Sequence, residues 1–442
     1  MEEAGLAMSL ATPDNIRKFQ TKLYEKAKGE PKFRFYQLYD KAYREDILLH
    51  AWKLARAHGG APGVDGKTFS DIEAQGLDKW LETLREELHD KTYRPDPVRR
   101  VTIPKPGGGE RPLGIPTIRD RVAQTAVKLV IEPIFEADFE DSAYGYRPGR
   151  SALDAVKQTH ESMKDGYTDV VDADLSKYFD SIPHDKLMWC VRQRITDVHL
   201  LRLIEMWLKA PVEETDERGN KRLTGGKRSK TGTPQGGVVS PLLANIYMNR
   251  YLRLWRRKGK GEQFSARIVN YADDFVILSR GGAANALEWT RGVITQMGLT
   301  LNEKKTRLVN AREETFDFLG YTFGPQYYTR TGKRFLTAQP SKKSVQRLKE
   351  RVRKKLAPGN QEPLPEVIKS LNRTLDGWRN YFSHGNTYLS YRAINNYVSD
   401  RMRFFVNRRC KKSTLDLNGL SRRVFVEMGV TCMMKDNAAP RP

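Results

Sequence analysis

The sequence predicts an α+β fold in which a mixed body of strands and helices is followed by a helical C-terminal region. Short apolar runs bounded by turn residues, such as 268–271 and 275–278, have the length and composition of strands. Apolar residues recur at helical spacing along residues 71–88. Further helices are predicted at 14–28, 36–58, 119–135, 186–210, 240–255 and 283–297. From residue 341 to 409 the patterns are helical, and the first of these helices is rich in Lys and Arg.

The strand-like runs at 268–271 and 275–278 flank two adjacent carboxylates, Asp273 and Asp274. We interpret the two runs as a hairpin with the Asp pair at its tip. Adjacent like charges repel each other, and a structural turn gains nothing from this repulsion, although Asp-Asp also occurs in ordinary turns. Mg²⁺ would reverse the cost, because hard cations bind carboxylate oxygens.

Residues 170–180 form a second apolar strand that ends in carboxylates. Bringing Asp174 beside Asp273 and Asp274 would create a three-carboxylate site for two metal ions. Such a site clamps the attacking and leaving oxygens of a phosphoryl transfer. The alternative is that Asp172, Asp174 and Asp180 cap a strand end and form a turn.

Three stretches together resemble the reverse transcriptases, and in particular the proteins encoded by bacterial group II introns. Tyr271-Ala272-Asp273-Asp274 resembles the signature turn of that family, residues 174–180 (DLSKYFD) its first metal motif, and residues 233–245 (TPQGGVVSPLLAN) its template and nucleotide motif. The resemblance covers roughly residues 50–412. It implies a right-hand polymerase, with fingers and palm followed by a helical thumb, or maturase, domain.

The resemblance implies four parts along the chain. These are an N-terminal extension (1–95), the reverse transcriptase fingers and palm (96–335), the thumb or maturase (X) domain (341–412) and a C-terminal tail (413–442).

Residues 59–68 (GGAPGVDGKT) end like a phosphate-binding P-loop, but Ala61 stands where that pattern needs its first glycine, and no strand precedes it. The segment resembles instead the template-side motif of the family's N-terminal extension. The tail shows no His-Asn-His nuclease pattern, so we expect a member that lacks the endonuclease domain and its second-strand cleavage.

The implied activity is RNA-directed DNA synthesis, with intron RNA binding that assists splicing and retrohoming. Asp174, Asp273 and Asp274 would be the catalytic residues and, together with Leu175, the ligands of two Mg²⁺ ions, which Mn²⁺ could replace. The partners would be the group II intron RNA, an RNA template with its DNA primer, target DNA and dNTPs. A homodimer stays open.

The resemblance also assigns contacts with the incoming nucleotide. Residues 98–116 form a basic hairpin with three glycines at its turn, similar to the family's fingers hairpin, although a solvated basic hairpin would have the same pattern. Lys105 and Arg111 on it would hold the triphosphate, and Gln235 and Lys305 match other nucleotide-contacting positions. Phe179 lies five residues after Asp174, where the family places a bulky ring that excludes a ribose 2′-OH. Without the resemblance, Phe179 is as readily a core aromatic residue.

Nucleic-acid contacts are expected at several further motifs. Residues 211–232 form a polar insertion, predicted as a hairpin, that leads into the Pro-Gln-Gly-Gly loop, and residues 316–323 resemble the primer grip, although an ordinary half-buried strand has the same pattern. The residues assigned from the palm and fingers are Arg147, Arg150, Pro234, Gly236, Gly237, Tyr271, Leu319 and Gly320. Those assigned from the thumb are Lys342, Lys343, Arg347, Arg351, Lys354, Lys355, Trp378 and Arg379.

The charge of the chain is concentrated in the predicted thumb. The formal net charge is +23, which indicates a polyanionic partner. Residues 341–412 contain 18 Lys and Arg against 5 Asp and Glu, a net +13. A charge run often marks only a solvated helix face, but here aromatic residues such as Trp378 interleave with the cations, a pattern that suits nucleic acid.

The remaining composition excludes several classes of protein. Three widely spaced cysteines form neither a disulfide framework nor a zinc motif, which favours a reducing compartment. No run approaches the length of a membrane span, and the first residues lack the pattern of a signal peptide. We therefore expect a bacterial cytoplasmic ribonucleoprotein without membrane contact.

Three alternatives share the carboxylate or the basic features. The first is a reverse transcriptase of a bacterial defence or CRISPR-linked system, which the absence of a recognisable fused partner domain disfavours. The second is a maturase that acts mainly as an RNA-binding protein, which intact Asp174, Asp273, Asp274 and Lys105 disfavour. The third is a viral-type RNA-dependent RNA polymerase, which Phe179 and Ala272 disfavour.

Overall fold

The computed structural model describes residues 11–104, 110–216, 218–327, 331–410 and 421–434. The N-terminal extension contains four helices, α1 (Asp14–Gly29), α2 (Tyr39–Ala42), α3 (Glu45–His58) and α4 (Phe69–His89). Thr68 begins α4 with a capping box, in which its hydroxyl accepts from the Asp71 backbone and Asp71 accepts from the Thr68 backbone. The prediction of a single helix over 36–58 is wrong, because α2 ends at Ala42 and a new helix, α3, begins at Glu45 after the non-helical residues Tyr43 and Arg44.

The fingers are built on a four-stranded sheet. Its strands are β1 (Val98–Pro104), β2 (Glu110–Ile115), β4 (Pro211–Thr215) and β5 (Lys221–Gly225), in the order β2-β1-β4-β5. The predicted hairpins at 98–116 and 211–232 are both confirmed, and the second joins the first by a parallel pairing of β4 with β1. The insertion is therefore part of the fingers sheet.

Helices surround the sheets of the central region. They are α5 (Ile118–Glu136), α6 (Ala152–Lys164), α7 (Tyr178–Ser181), α8 (His184–Arg192), α9 (Val198–Leu208), α10 (Ser240–Arg257), α11 (Lys260–Gln263) and α12 (Ala283–Gln296). The predicted helix over 186–210 is divided into α8 and α9, since Asp197 caps a new helix by accepting from the backbone of His199 and Leu200. Helices α1 and α3 pack on α5, which joins the N-terminal extension to the same core.

The palm is a second four-stranded sheet, with the order β6-β7-β3-β8. Its strands are β3 (Asp169–Asp174), β6 (Ala266–Tyr271), β7 (Asp274–Ser279) and β8 (Arg307–Asn310). Successive side chains of a strand point to opposite faces. Accordingly Val171 and Phe275 join the core shared with the N-terminal helices, whereas Val170 and Val276 join the core shared with the thumb. The central strands are buried on both sides, which explains their apolar runs.

The C-terminal region packs on the second face of the palm sheet. It begins with a three-stranded sheet of β9 (Phe316–Phe318), β10 (Tyr321–Tyr327) and β11 (Arg334–Pro340) and continues with helices α13 (Lys342–Lys355), α14 (Leu364–Tyr381), α15 (Tyr388–Cys410) and α16 (Arg422–Glu427). The structure differs from the predicted separate tail, because Phe425, Val430 and Met433 are buried in the thumb core. Among the described helices, none is long and apolar enough to span a membrane.

Candidate active site

The strand register brings the predicted carboxylates to one end of the palm sheet. Strands β3 and β7 are antiparallel, and their register sets Asp174 directly opposite Asp274. Asp273 lies in the two-residue turn between β6 and β7. Asp174 therefore lies at the same end of the sheet as Asp273 and Asp274, although about a hundred positions separate it from them in sequence.

The pKa of Asp274 is raised from its ordinary value of 3.8 to about 8. Burial is the main cause, and the negative charges of Asp172, Asp273 and Asp174 add to it. Asp172 accepts from the Arg307 guanidinium at 3.1 Å, yet burial still raises the pKa of Asp172 as well. The end of the sheet thus carries negative charge that the surrounding side chains only partly balance.

Asp174 is held by the segment that follows α12. Its Oδ2 accepts from the Lys305 ammonium and from the Asn302 amide, both at 3.0 Å. The Asn302 backbone also donates to the Asp174 carbonyl, and Leu175 bridges to Leu301. Lys305 therefore lies beside the carboxylates, as does Asn302. The sequence analysis did not single out Asn302, although it lies three residues before Lys305.

The donor chemistry of the cluster fits a divalent cation. Carboxylate oxygens are the ligands that Mg²⁺ prefers, and a cation would neutralise the negative charges that add to the raised pKa of Asp274. Among the residues that the structure describes, no three His, Cys, Asp or Glu side chains are arranged so that they could hold a metal ion together. At Asp174, a cation bound to Oδ2 would compete with the two hydrogen bonds that this oxygen accepts.

The turn that carries Asp273 is strained and tightly supported. Ala272 adopts a left-handed φ of +59°, which is unfavourable for a residue with a Cβ. Asn270 donates through its side-chain amide to the Ala272 carbonyl. A Cβ on Gly145 would stand only 2.6 Å from the Ala272 nitrogen, so only glycine allows this close approach. The Asn245 amide fixes Gly145 by donating to its carbonyl at 2.7 Å.

A group of aromatic side chains lies beside the acidic edge, by which we mean the end of the palm sheet that carries Asp174, Asp273 and Asp274. The half-buried Phe179 ring meets Tyr146 edge-on, with centroids 6.4 Å apart, and Tyr146 lies the same distance from Tyr271. Phe179 is thus part of this group, and its ring also packs against the main hydrophobic core.

The Pro-Gln-Gly-Gly loop lies between fingers and palm. The Gln235 amide donates to the Asp180 carboxylate at 3.2 Å, and the Gln235 carbonyl accepts from the Gly114 backbone on β2. A Cβ on Gly236 would stand 2.3 Å from the Gly114 carbonyl oxygen, which explains the glycine. Pro234 and Gly237 flank this contact, and Gly237 donates to the Pro234 carbonyl.

Two triphosphate-binding predictions concern the tip of the fingers hairpin. Lys105 lies outside the described residues. The Arg111 backbone pairs with Ile103, and its side chain is also outside the description.

Several residues expected to contact nucleic acid have structural partners instead. Arg147 is buried, and its guanidinium donates to the Glu136 carboxylate and to two backbone carbonyls. Arg150 donates to Asp141. In the thumb, Trp378 is buried in the core, and Arg379 pairs with Asp376 and donates to the Cys432 carbonyl. Arg147 and Trp378 are buried, which argues against the predicted contact of either side chain with nucleic acid.

The six cations of α13 that are predicted to contact nucleic acid divide into two groups by their exposure to solvent. Lys342, Lys343, Arg347 and Lys354 are exposed, while the helix buries Leu348 and Val352 against the thumb. Arg351 is partly buried, and Lys355 donates to Ser370. The exposed group forms a cationic surface.

Comparison with known proteins assigns both parts of the chain. Residues 103–323 match a family model described as reverse transcriptase (RNA-dependent DNA polymerase), and residues 345–424 match one described as the maturase-specific domain of group II introns. Protein YkfC of Escherichia coli is 35% identical over 343 residues, covering 69% of this chain and 87% of that protein.

Other relatives are longer than this chain. The group II intron-encoded protein LtrA of Lactococcus lactis is 36% identical over 217 residues, covering 49% of this chain and 34% of LtrA. An uncharacterized 91 kDa protein in a Schizosaccharomyces pombe cob intron is 28% identical, covering 64% of this chain and 40% of that protein. Among solved structures, telomerase from Candida albicans matches with a TM-score of 0.42 and 13% identity, covering 79% of this chain and 67% of that one.

Proposed function

This chain belongs to the reverse transcriptases encoded by group II introns, and from that premise we propose that it extends a DNA primer along an RNA template with Asp174, Asp273 and Asp274 as its catalytic residues. The observation that carries the proposal is the register that sets Asp174 opposite Asp274, with Asp273 in the adjoining turn. Enzymes of this family use divalent metal ions.

We propose two Mg²⁺ ions at this edge, held by the three carboxylates and the Leu175 backbone. When bound, the ions would stabilise the attacking primer oxygen and the leaving pyrophosphate. The role of the chain is to hold ligands and substrates in line. Lys305, which donates to Asp174, and Gln235, whose amide donates to Asp180, are proposed to contact the incoming nucleotide. Lys105 and Arg111 are proposed to hold the triphosphate from the fingers.

Sugar selection is proposed for Phe179, whose half-buried ring lies in the aromatic group beside the acidic edge. Phe179→Ala should admit ribonucleotides and sharply lower the preference for dNTPs over rNTPs in primer extension. Tyr146→Phe keeps the neighbouring ring and should leave the preference as in the parent. An equal loss of dNTP and rNTP incorporation by Phe179→Ala would instead assign the ring to packing.

The proposed RNA role is to bind the intron that encodes the chain, in support of its splicing and its insertion into target DNA. The match of residues 345–424 to the maturase-specific domain and the exposed cations of α13 support it. Phosphate contacts would supply the affinity and RNA shape the selectivity.

The direct test of the proposed function uses a defined RNA template, a DNA primer and dNTPs. We expect full-length DNA product in Mg²⁺ or Mn²⁺, no product after chelation by EDTA, and little product with rNTPs. The same preparation should bind its own intron RNA more tightly than an unrelated structured RNA of equal length at physiological salt. Extension that is independent of divalent cations would overturn the proposal.

A further inference from the structure

The turn between β9 and β10 has a backbone that its own residues do not favour. Leu319 has a φ of +50° and Gly320 a φ of +80°, so a residue with a branched side chain occupies the left-handed region. Such a conformation persists only where the surroundings determine it. The contacts that hold this turn therefore decide its shape.

Both carbonyl groups of the turn accept hydrogen bonds from the thumb. The Tyr381 hydroxyl, at the end of α14, donates to the Leu319 carbonyl at 2.7 Å. The Gly320 carbonyl accepts from the Ser344 hydroxyl and from the Ser341 backbone, both at 2.9 Å, at the start of α13. Among the described residues, the Leu319 carbonyl thus has one donor from the thumb, whereas the Gly320 carbonyl has two.

Tyr381 is also fixed in place by the strand that follows the turn. The Tyr321 hydroxyl donates to the Tyr381 carbonyl at 2.6 Å, and the Tyr321 ring packs on Phe382 with centroids 5.0 Å apart. Burial, with Tyr321, Tyr271 and Asp274 nearby, raises the pKa of the Tyr381 hydroxyl. It therefore stays protonated and remains a donor, beside the hairpin that carries the carboxylates.

These contacts give a role to a motif that sequence reasoning assigned otherwise. Residues 377–382 (GWRNYF) were expected to contact RNA through Trp378 and Arg379. Trp378 is buried and Arg379 is paired within the thumb, whereas Tyr381 points to the turn that resembles the primer grip. Within this motif, the Tyr381 side chain is therefore directed at the turn between β9 and β10.

We propose that the Tyr381 hydroxyl is a positioning group, which fixes the Leu319–Gly320 turn and thereby sets where the primer 3′ end stands relative to Asp273 and Asp274. The inference rests on the proposed function and on the resemblance of residues 316–323 to the primer grip, which implies that this turn contacts the primer. Docking of the thumb and alignment of the primer are then coupled through the hydrogen bonds that the thumb donates to this turn. A small misplacement of the primer terminus would lower the rate of chemistry more than it lowers binding.

The test compares Tyr381→Phe with Tyr391→Phe in the full chain. Tyr391 is a matched control, because its hydroxyl donates to the Phe382 and Arg379 carbonyls at the same helix end and not to a carbonyl of the turn. The measurements are the rate of adding the first nucleotide at saturating primer–template and dNTP, the Kd of primer–template, and the Tm. For Tyr381→Phe we expect a rate about tenfold lower, with Kd and Tm close to those of Tyr391→Phe.

Equal rates in the two variants would overturn the inference, and so would losses that follow Tm in both. Should Tyr381→Phe fail to fold, Ser344→Ala tests the same turn. It leaves the Gly320 carbonyl with the Ser341 donor, so we expect a rate about two- to threefold lower, and an unchanged rate would reject the inference. An active parent with unaffected turn variants rejects only this inference, whereas an inactive parent rejects the proposed function itself.

Discussion

At the scale of single residues, the acidic edge has an electrostatic cost that depends on pH. Asp274 has a folded-state pKa of about 8 against an ordinary 3.8, so the folded protein holds a proton that the unfolded chain releases. Stability should therefore fall as pH rises from about 4 to about 8, by up to about 1.4 kcal/mol per pH unit, and then level off. A cation bound by the cluster would offset this loss.

The pH dependence can be measured by thermal unfolding of the parent and of Asp274→Asn in EDTA. The difference in Tm between the two should grow in favour of the variant between pH 4 and pH 8, because the amide has no proton to lose. Adding Mg²⁺ at pH 8 should raise the Tm of the parent more than that of the variant. Parallel pH profiles, together with equal responses to Mg²⁺, would contradict this account of the cluster.

At the scale of single elements, the hairpin of β6 and β7 depends on a neighbouring glycine. A methyl group on Gly145 would overlap the Ala272 nitrogen, and backbone cannot move aside as a flexible side chain can. We expect Gly145→Ala to cost about 1–3 kcal/mol of stability and to lower the extension rate at least about tenfold by displacing the turn.

The matched control is Gly292→Ala, in an exposed part of α12 with nothing near the new methyl group. It should gain up to about 1 kcal/mol of stability and keep the parent's rate. Primer extension and chemical denaturation of both variants provide the check. If Gly145→Ala retained the parent's rate, the glycine would not be supporting the catalytic turn.

Helix α13 separates its cations by exposure, and the separation predicts which of them bind RNA. Replacing Lys342, Lys343, Arg347 and Lys354 by Gln should reduce the slope of log K against log salt for intron RNA by roughly two to four. The reason is that RNA binding releases fewer counterions when phosphate contacts are lost. Chemistry at saturating primer–template should be unchanged, because no carboxylate is altered.

The control for α13 lies in the same helix. Arg351→Gln with Lys355→Gln removes two of the less exposed cations and should lower stability while leaving the salt slope nearly as in the parent. An unchanged slope in the four-residue variant would make the exposed cations a solvated face. A loss of synthesis that saturating primer–template does not rescue would make α13 a support of the palm.

At the scale of the whole molecule, local patterns predicted the elements, and the folded chain decided their partners. The two carboxylate strands, both hairpins and the basic helix were predictable, because alternation, turn residues and helical spacing are local signals. The roles of Arg147 and Trp378 were not, since an exposed contact and a buried ion pair or core ring use the same residue types. The packing of residues 421–434 on the thumb also depends on long-range burial, which a short polar tail does not announce.

The central claim is that three carboxylates act as one catalytic set, and Asp273→Asn tests it most directly. Synthesis on a primed RNA template with dNTPs and Mg²⁺ should be abolished, while the Tm should not fall, because one charge of a repelling cluster is removed. Asp185→Asn, the same change at an exposed position on α8, should extend primers at the parent's rate. If Asp273→Asn retained activity within about tenfold of the parent, the carboxylates would not be the site of polymerisation.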